Sequence, residues 1–365
     1  VILGRACDYF PYFGGRIISG KKLNTTMKLK IGPLLLVLLF AATAFRQPTG
    51  FTGPHADDPL LKQERRNKPL RIMVISDLND SYGSTSYSKE VAAAIQKIPD
   101  IKPDIILCGG DMVAGQKASL TDAQLRAMWD SFHRNILTPI DSLDIPFGFT
   151  VGNHDASPSY LKDRQAARQF WENHVAETNL AFVDRTHFPF YFSYIKNNVF
   201  FISWDAASEA ISPEVLDWMS GQLNSRIAQK SRLRIVLGHL PLYAIVGDKN
   251  KPGEVIADAD RTLDFFTENG VDMYISGHQH AYFPAHKNGV KLFHSGCLGG
   301  GPRPLLGHGG GPKKAYAVID IPVKSPRQFS FNGYSPGTDS LITLYSLPES
   351  VQGFNGSVNR IDIPY

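Results

Sequence analysis

Cysteine is nearly missing from this chain: three occur in 365 residues, at positions 7, 108 and 297. So few rule out a disulfide-built scaffold, and the lack of any Cys cluster rules out the thiolate cage of a closed structural zinc site. Cys108 and Cys297 sit in or beside apolar runs. They read as small buried residues that would pair only if neighbouring strand ends brought them together. Charge of one sign is also scarce. A formal net charge of +4 over the whole length, with no long basic stretch interleaved with aromatics, gives no nucleic-acid-binding signature. No internal repeat is present, which removes a repeat architecture. Long apolar runs are missing too. The most apolar stretch, residues 31–45, falls short of the about 20 residues that cross a bilayer.

That stretch has another reading. Met27-Lys28-Leu29-Lys30 precedes it and Ala42-Thr43-Ala44 closes it, the basic, apolar and small-x-small order of an export signal. The expectation is a signal peptide over residues 27–44. Residues 1–26 would then be upstream readthrough or a misplaced start. Export to the periplasm or beyond would follow cleavage near Ala44, with no transmembrane span in the mature chain.

What is present is a 43% hydrophobic composition, enough for a sizeable core. Residues 45–69 are polar, with several Pro and Gly, and are expected to be a linker. Residues 70–76 then form an apolar run of the kind buried on both faces of a sheet. A helical pattern over 90–98 and a second run at 105–107 complete a βαβ unit. Thr121 with Gln124 makes a capping box for a helix running to about 137. Further helices are expected over 160–176, from Ser212-Pro213, and over 258–269. Strands are expected at 145–151, 189–195, 199–204, 233–237, 271–276 and 290–294. Lys196-Asn197-Asn198 is a hairpin signal, and turns are expected at Asn332-Gly333 and Pro336-Gly337. Strands and helices alternate early while hairpins concentrate late. The predicted fold is therefore α/β, a layered sandwich of two mixed β-sheets flanked by helices, in one domain over 70–346 with a C-terminal tail over 347–365.

Five apolar runs end in polar groups. They deliver Asp77-Leu78-Asn79, Gly110-Asp111, Gly152-Asn153-His154-Asp155, Gly238-His239 and Gly277-His278-Gln279-His280. Gly, Asn and Asp are also turn residues, and one such tetrapeptide alone reads equally well as a turn and a helix cap. Five in succession, all at strand ends where α/β folds place ligands, point to a site. Carboxylates, an amide oxygen and imidazoles suit divalent ions of the Zn, Mn and Fe type. The donors are too many for one ion. Two ions about 3.5–4 Å apart, sharing one carboxylate, would use them all and would clamp both oxygens of a phosphoryl displacement. A zinc hydrolase of amides or carboxylic esters is the distant alternative on ligand chemistry.

The ordered set Asp-x-Asn, Gly-Asp, Gly-Asn-His-Asp, Gly-His, Gly-His-x-His resembles the calcineurin-like metallophosphoesterases over residues 70 to about 303. The resemblance implies that Asp111 bridges two divalent ions (Mn, Fe or Zn). It implies that Asp77, Asn79 and His280 complete one site, and Asn153, His239 and His278 the other. His154 would contact the phosphoryl oxygen or protonate the leaving group, with Asp155 orienting it, and a metal-activated hydroxide would attack a small-molecule phosphate mono- or diester. Two departures stand out. Asn79 occupies a position where the family usually has His, and an amide oxygen is the weaker ligand; a catalytically weak member serving as a ligand- or protein-binding module is the rival that Asn79 favours. Residues 272–278 resemble the purple acid phosphatase branch, yet Ala114 stands where that branch has its Tyr ligand, so a tyrosinate-coloured iron site is not expected.

Weaker candidates remain. Arg303, after Gly299-Gly300-Gly301-Pro302, would meet a substrate phosphate or simply belong to a surface loop. Tyr82, with Ser84 and Tyr87, would shape a pocket or serve a turn. His133, His174, His187 and His286 read as surface or locally satisfied residues.

Overall fold

The computed structural model describes residues 59–364. The upstream segment, the signal peptide and the linker as far as residue 58 lie outside the described residues. In chain order the elements are α1 (Pro59–Glu64), β1 (Leu70–Ile75), α2 (Lys89–Ile101), β2 (Ile105–Cys108), α3 (Asp122–Phe132), a π-helical turn (His133–Leu137), α4 (Thr138–Asp141) and β3 (Phe147–Phe149). There follow α5 (Asn153–Ala156), α6 (Leu161–Asn173), a 3-10 turn (Val175–Thr178), β4 (Ala181–His187), β5 (Tyr191–Lys196), β6 (Val199–Ser203), α7 (Pro213–Leu223), α8 (Arg226–Lys230) and β7 (Leu233–Leu237). The remainder is α9 (Ala259–Glu268), β8 (Met273–Ser276), β9 (Tyr282–Lys287), β10 (Val290–Ser295), β11 (Tyr316–Ile321), β12 (Ser330–Ser335), β13 (Ser340–Ile342), a 3-10 turn (Leu344–Ser346), β14 (Ser350–Gly353) and β15 (Gly356–Arg360).

These strands form two mixed sheets. The six-stranded sheet runs β13-β12-β11-β1-β2-β3, and the nine-stranded sheet runs β14-β15-β9-β10-β8-β7-β6-β5-β4. β1, β2 and β3 pair in parallel, as do β6, β7, β8 and β10. The central strands are buried on both faces over most of their length, which is why β2 reads as an unbroken apolar run and β1 and β7 as apolar runs interrupted only by Arg71 and Arg234 near their starts. The sheets meet through aromatic pairs: Phe149 of β3 lies 5.2 Å from Phe192 of β5, and Phe293 of β10 stacks at 5.2 Å on Phe331 of β12. Outside, α6 presents Trp171, which stacks on Phe149 at 3.8 Å. Both rings are fully buried, and truncating either would cost roughly 3–5 kcal/mol.

The boundaries differ from the sequence expectation at both ends. Within the stretch expected as linker, α1 docks on the β4–β5 hairpin. Leu61 packs against Ala181 and Ile195, and buried Glu64 accepts hydrogen bonds from Lys196 Nζ (3.1 Å) and the Asn197 N–H (3.0 Å). Six residues are too few to display a helical period, so the element is invisible in sequence. Residues 350–360, expected as tail, form the β14–β15 hairpin that extends the nine-stranded sheet through β9. Its two-residue turn is Phe354-Asn355, closed by the pair Gly353 and Gly356, and the flanking strands carry few apolar residues. Asn332-Gly333 is no turn. Gly333 sits inside β12, opposite Ala317, because the Tyr282 ring lies where a side chain would go. The Pro336-Gly337 turn is present as expected. Cys108 and Cys297 are both free and buried. No helix among the described residues is long and apolar enough to cross a membrane.

Candidate metal centre

All five motifs follow the strand ends where they were expected: Asp77 and Asn79 after β1, Asp111 after β2, Asn153 and His154 opening α5 after β3, His239 after β7, His278 and His280 after β8. The backbone turns sharply there. Asp77, Asp111, His278 and His280 all have left-handed φ, between 50° and 65°, a region that disfavours L-residues and clusters at functional sites. Backbone hydrogen bonds hold the turns: the Asp77 N–H donates to Gly110 O (3.0 Å), the Leu78 N–H to Asp111 O (2.9 Å) and the Gly277 N–H to His239 O (3.0 Å). Two motif glycines are dictated by proximity. Gly110, at φ 95°, would place a Cβ 2.6 Å from His239 Nδ1, and a Cβ on Gly152 would overlap Asp111 Oδ1 and stand 2.9 Å from its Cγ.

The turns bring two groups of donors together. Asp111, His239 and His278 offer ligand atoms within 4.8 Å of one another, and so do Asp77, Asp111 and His280. Asp111 belongs to both. His239 Nε2 lies 3.3 Å from Asp111 Oδ2 and 2.9 Å from Asn153 Oδ1, while its Nδ1–H donates to Gly109 O at 2.7 Å. That carbonyl fixes the ring so that Nε2 faces the centre. The Asn153 carboxamide is fixed in the same way: its Nδ2 donates to Gln116 Oε1 (2.8 Å), which turns the oxygen inward. His280 Nε2 lies 3.1 Å from Asp77 Oδ1, and its Nδ1 meets Gly301 O at 3.1 Å. Asp77 also accepts from Ser76 Oγ and the His278 N–H. His278 Nε2 pairs with Glu254 Oε2 at 2.8 Å, and Lys249 Nζ stands 3.3 Å from the same ring. The Asn79 carboxamide makes no hydrogen bond among the described residues although the residue is largely buried.

Electrostatics follow from burial and neighbours. Burial opposes ionisation of Asp111, but His239 and His154 outweigh it and hold the carboxyl well below the usual range. Asp77 is likewise lowered by His280 against its burial. Burial alone would make His239 a weaker base, yet the Asp111 carboxylate raises it to about 9. His278 is pushed down to about 3 by burial and then by Lys249. Lys249 itself is lowered, by burial first and Arg303 second. Two buried carboxylates require countercharge. Imidazoles and amide oxygens gathered around them are the donor set that divalent metals take, so the residues fit the expected ions.

Asp155 does not orient His154. Its buried carboxylate accepts from the backbone N–H groups of Met112 (2.8 Å), Val113 (2.9 Å) and Gly152 (2.8 Å), which ties the loop after Asp111 to α5. Burial and the neighbouring Asp111 raise it to about 7. The His154 ring instead has Nδ1 at 3.3 Å from Gly115 O and stands 5.2 Å from the exposed Tyr82 ring, while the His154 backbone N–H donates to Asp111 Oδ1 at 2.9 Å. Arg303 stands beside His280, its N–H donating to His280 O (3.1 Å), with its guanidinium bonded to Asp248 (2.6 Å). Sequence reasoning missed Gln116, Lys249 and Glu254. Each lies in an irregular loop, and only the folded chain shows what they touch.

Solved structures with this fold include a purple acid phosphatase from yellow lupin (Lupinus luteus) seeds, at 16% identity and a TM-score of 0.57 over 76% of this chain and 53% of that one. The present chain thus spans about half the length of the lupin protein. The structure of PhoD aligns at 11% identity and a TM-score of 0.51, covering 78% of this chain and 73% of that one. At such identities the likeness is one of fold. No curated protein matches the chain in sequence. Residues 70–282, more than half of the chain, match the family model described as calcineurin-like phosphoesterase. With its ordered motifs converging on one cluster of metal donors, the chain belongs to the calcineurin-like phosphoesterases, a family of metal-dependent phosphoric ester hydrolases.

Proposed function

We propose that this chain hydrolyses phosphate mono- or diesters of small molecules at a binuclear centre. One observation carries the reading: Asp111 is common to both donor groups, as a carboxylate shared by two ions must be. Asp77, Asn79 and His280 would hold one ion with it; Asn153, His239 and His278 the other. Divalent ions bound there supply Lewis acidity toward the phosphoryl oxygens and lower the pKa of water.

The side chains around them do the rest. Gly109, Gln116, Glu254 and Ser76 fix the orientation of four donors through the hydrogen bonds described above. Gly115 O accepts from His154 Nδ1–H, which leaves Nε2 as the nitrogen that stabilises the phosphoryl group or gives a proton to the leaving oxygen. Lys249, 14% exposed beside His278, supplies positive charge for an anionic ester, and Arg303 does so from farther out. Tyr82, against His154, forms a wall of the substrate pocket. The rival is a binding module with a weakened metal site, and Asn79 in place of His is the feature in its favour.

The test is hydrolysis of a chromogenic phosphodiester and its matching monoester by the full chain in Mn, Zn, Fe and Mg, beside His154→Ala. Activity that requires added metal and falls by about 10²-fold or more in the variant supports the hydrolase. A folded, metal-loaded protein that is equally inert with and without His154 establishes the binding module instead.

A further inference from the structure

A second cluster of metal-binding side chains lies apart from the phosphoesterase centre and shares no residue with it. His133 begins the π-helical turn that follows α3, His174 caps the end of α6, and Glu177 lies in the 3-10 turn after it. In sequence these look like unconnected surface residues. In the fold they converge. His133 Nε2 lies 2.8 Å from Glu177 Oε2 and His174 Nδ1 lies 2.6 Å from Glu177 Oε1. The two imidazoles stand 4.3 Å apart, tilted by 41°.

The rings are held in place by packing. Phe170, one turn back on α6, lies against the His174 ring at 4.5 Å and presents its edge to His133 at 6.2 Å. The π turn, closed by the Thr138 N–H to His133 O, places the His133 ring beside them. π turns inside helices recur at functional sites. One donor from each residue lies within 4.8 Å of the other two. All three side chains are between about a quarter and a third exposed, so water can complete a coordination shell.

Two imidazoles and a carboxylate are the three-ligand set that zinc takes with an open fourth position. The set carries one net negative charge when the rings are neutral, and a dication converts a crowded hydrogen-bonded trio into three ligand bonds. The 2.8 and 2.6 Å contacts are closer than two ligands stand on one zinc ion, so the half-buried Glu177 side chain would turn to open them. We propose that His133, His174 and Glu177 form a separate site for Zn²⁺ or a similar late first-row dication, which fastens the end of α6 to the π turn.

The experiment counts metal. Wild-type protein saturated with Zn²⁺ and freed of excess is expected to retain one equivalent more than the His133→Gln/His174→Gln variant, while the two have equal phosphoesterase activity. Asp111→Asn, impaired at the main centre, is expected to keep that equivalent. Loaded with Co²⁺, it should show the visible absorption of a four-coordinate site, and adding Glu177→Gln should abolish it. Zn²⁺ should also raise the Tm of Asp111→Asn by a few degrees, because it binds only the folded state. If the double variant fails to fold, the Co²⁺ spectrum of Asp111→Asn with and without Glu177→Gln decides the matter. Equal zinc content in wild type and double variant, or a Co²⁺ spectrum indifferent to Glu177, overturns the proposal and leaves a hydrogen-bonded trio. Neither readout depends on phosphoesterase turnover, so the outcome is independent of the proposed reaction.

Discussion

Replacing Gly152 by Ala tests the centre with a single methyl group. Gly152 has φ of −94°, which any L-residue adopts, so the substitution brings no backbone strain of its own. The added Cβ nevertheless overlaps Asp111 Oδ1 and the Asp111 N–H, and it stands 2.9 Å from Cγ. Relief requires the shared carboxylate to move by roughly 1 Å, or the Asp155-bonded loop to shift with it, at about 1–3 kcal/mol of overpacking cost. A displacement of that size at a reacting centre is worth about 10²-fold in rate. The expected result is a folded protein with kcat/KM down by about 100-fold and metal binding weakened at both donor groups, because both use Asp111. Gly221→Ala is the control: it lies inside α7 with nothing within 4 Å of the added methyl, and it should stabilise by about 0.5–1 kcal/mol without touching activity. Steady-state kinetics, calorimetric metal titration and thermal unfolding read all three quantities. Retention of wild-type metal affinity and rate by Gly152→Ala would refute the assignment of Asp111 as the shared ligand.

Metal loading should release protons. In the metal-free protein His239 holds a proton up to about pH 9 beside Asp111, and an imidazole must be neutral to bind a metal. Apparent affinity should therefore rise from pH 7 to 9, by up to about tenfold per unit for one displaced proton. Calorimetry in buffers of different ionisation enthalpy counts that proton, and a flat profile would contradict the ligand role of His239. Glu254→Gln keeps the shape of the partner of His278 but removes its charge. Metal retention against a chelator should fall by about 10–100-fold while the fold survives.

The site was more legible in sequence than the edges of the fold. Five strand ends carried candidate metal donors in plain view, because a strand buried on both faces is a largely apolar run and whatever polar group follows it stands out. Asp77, Asp111 and His239 sit where that pattern put them. The role of Asp155 was not legible: beside His154 in sequence, it faces the backbone of the loop after Asp111, and adjacency along a helical turn does not mean a shared direction. Glu254 and Lys249 come from a loop whose path is set by tertiary contacts, and His133 meets His174 only because α3 and α6 pack together. The short helix at 59–64 and the hairpin at 350–360 escaped because each takes its stability from the sheet it docks on, leaving little periodicity of its own.

The left-handed backbone at Asp77, Asp111, His278 and His280 has a consequence for anyone using this chain as a scaffold. Such a conformation costs an ordinary L-residue about 1–2 kcal/mol and glycine almost nothing. A designer who optimised the metal-free fold alone would be drawn to glycine at all four positions, and each replacement would erase a candidate metal donor. The most attractive stabilising substitutions and the most damaging ones thus coincide, at residues far apart in the sequence. Screens that select on thermal stability without metal would drift toward well-folded, empty variants, and those positions need to be held constant before any library is built.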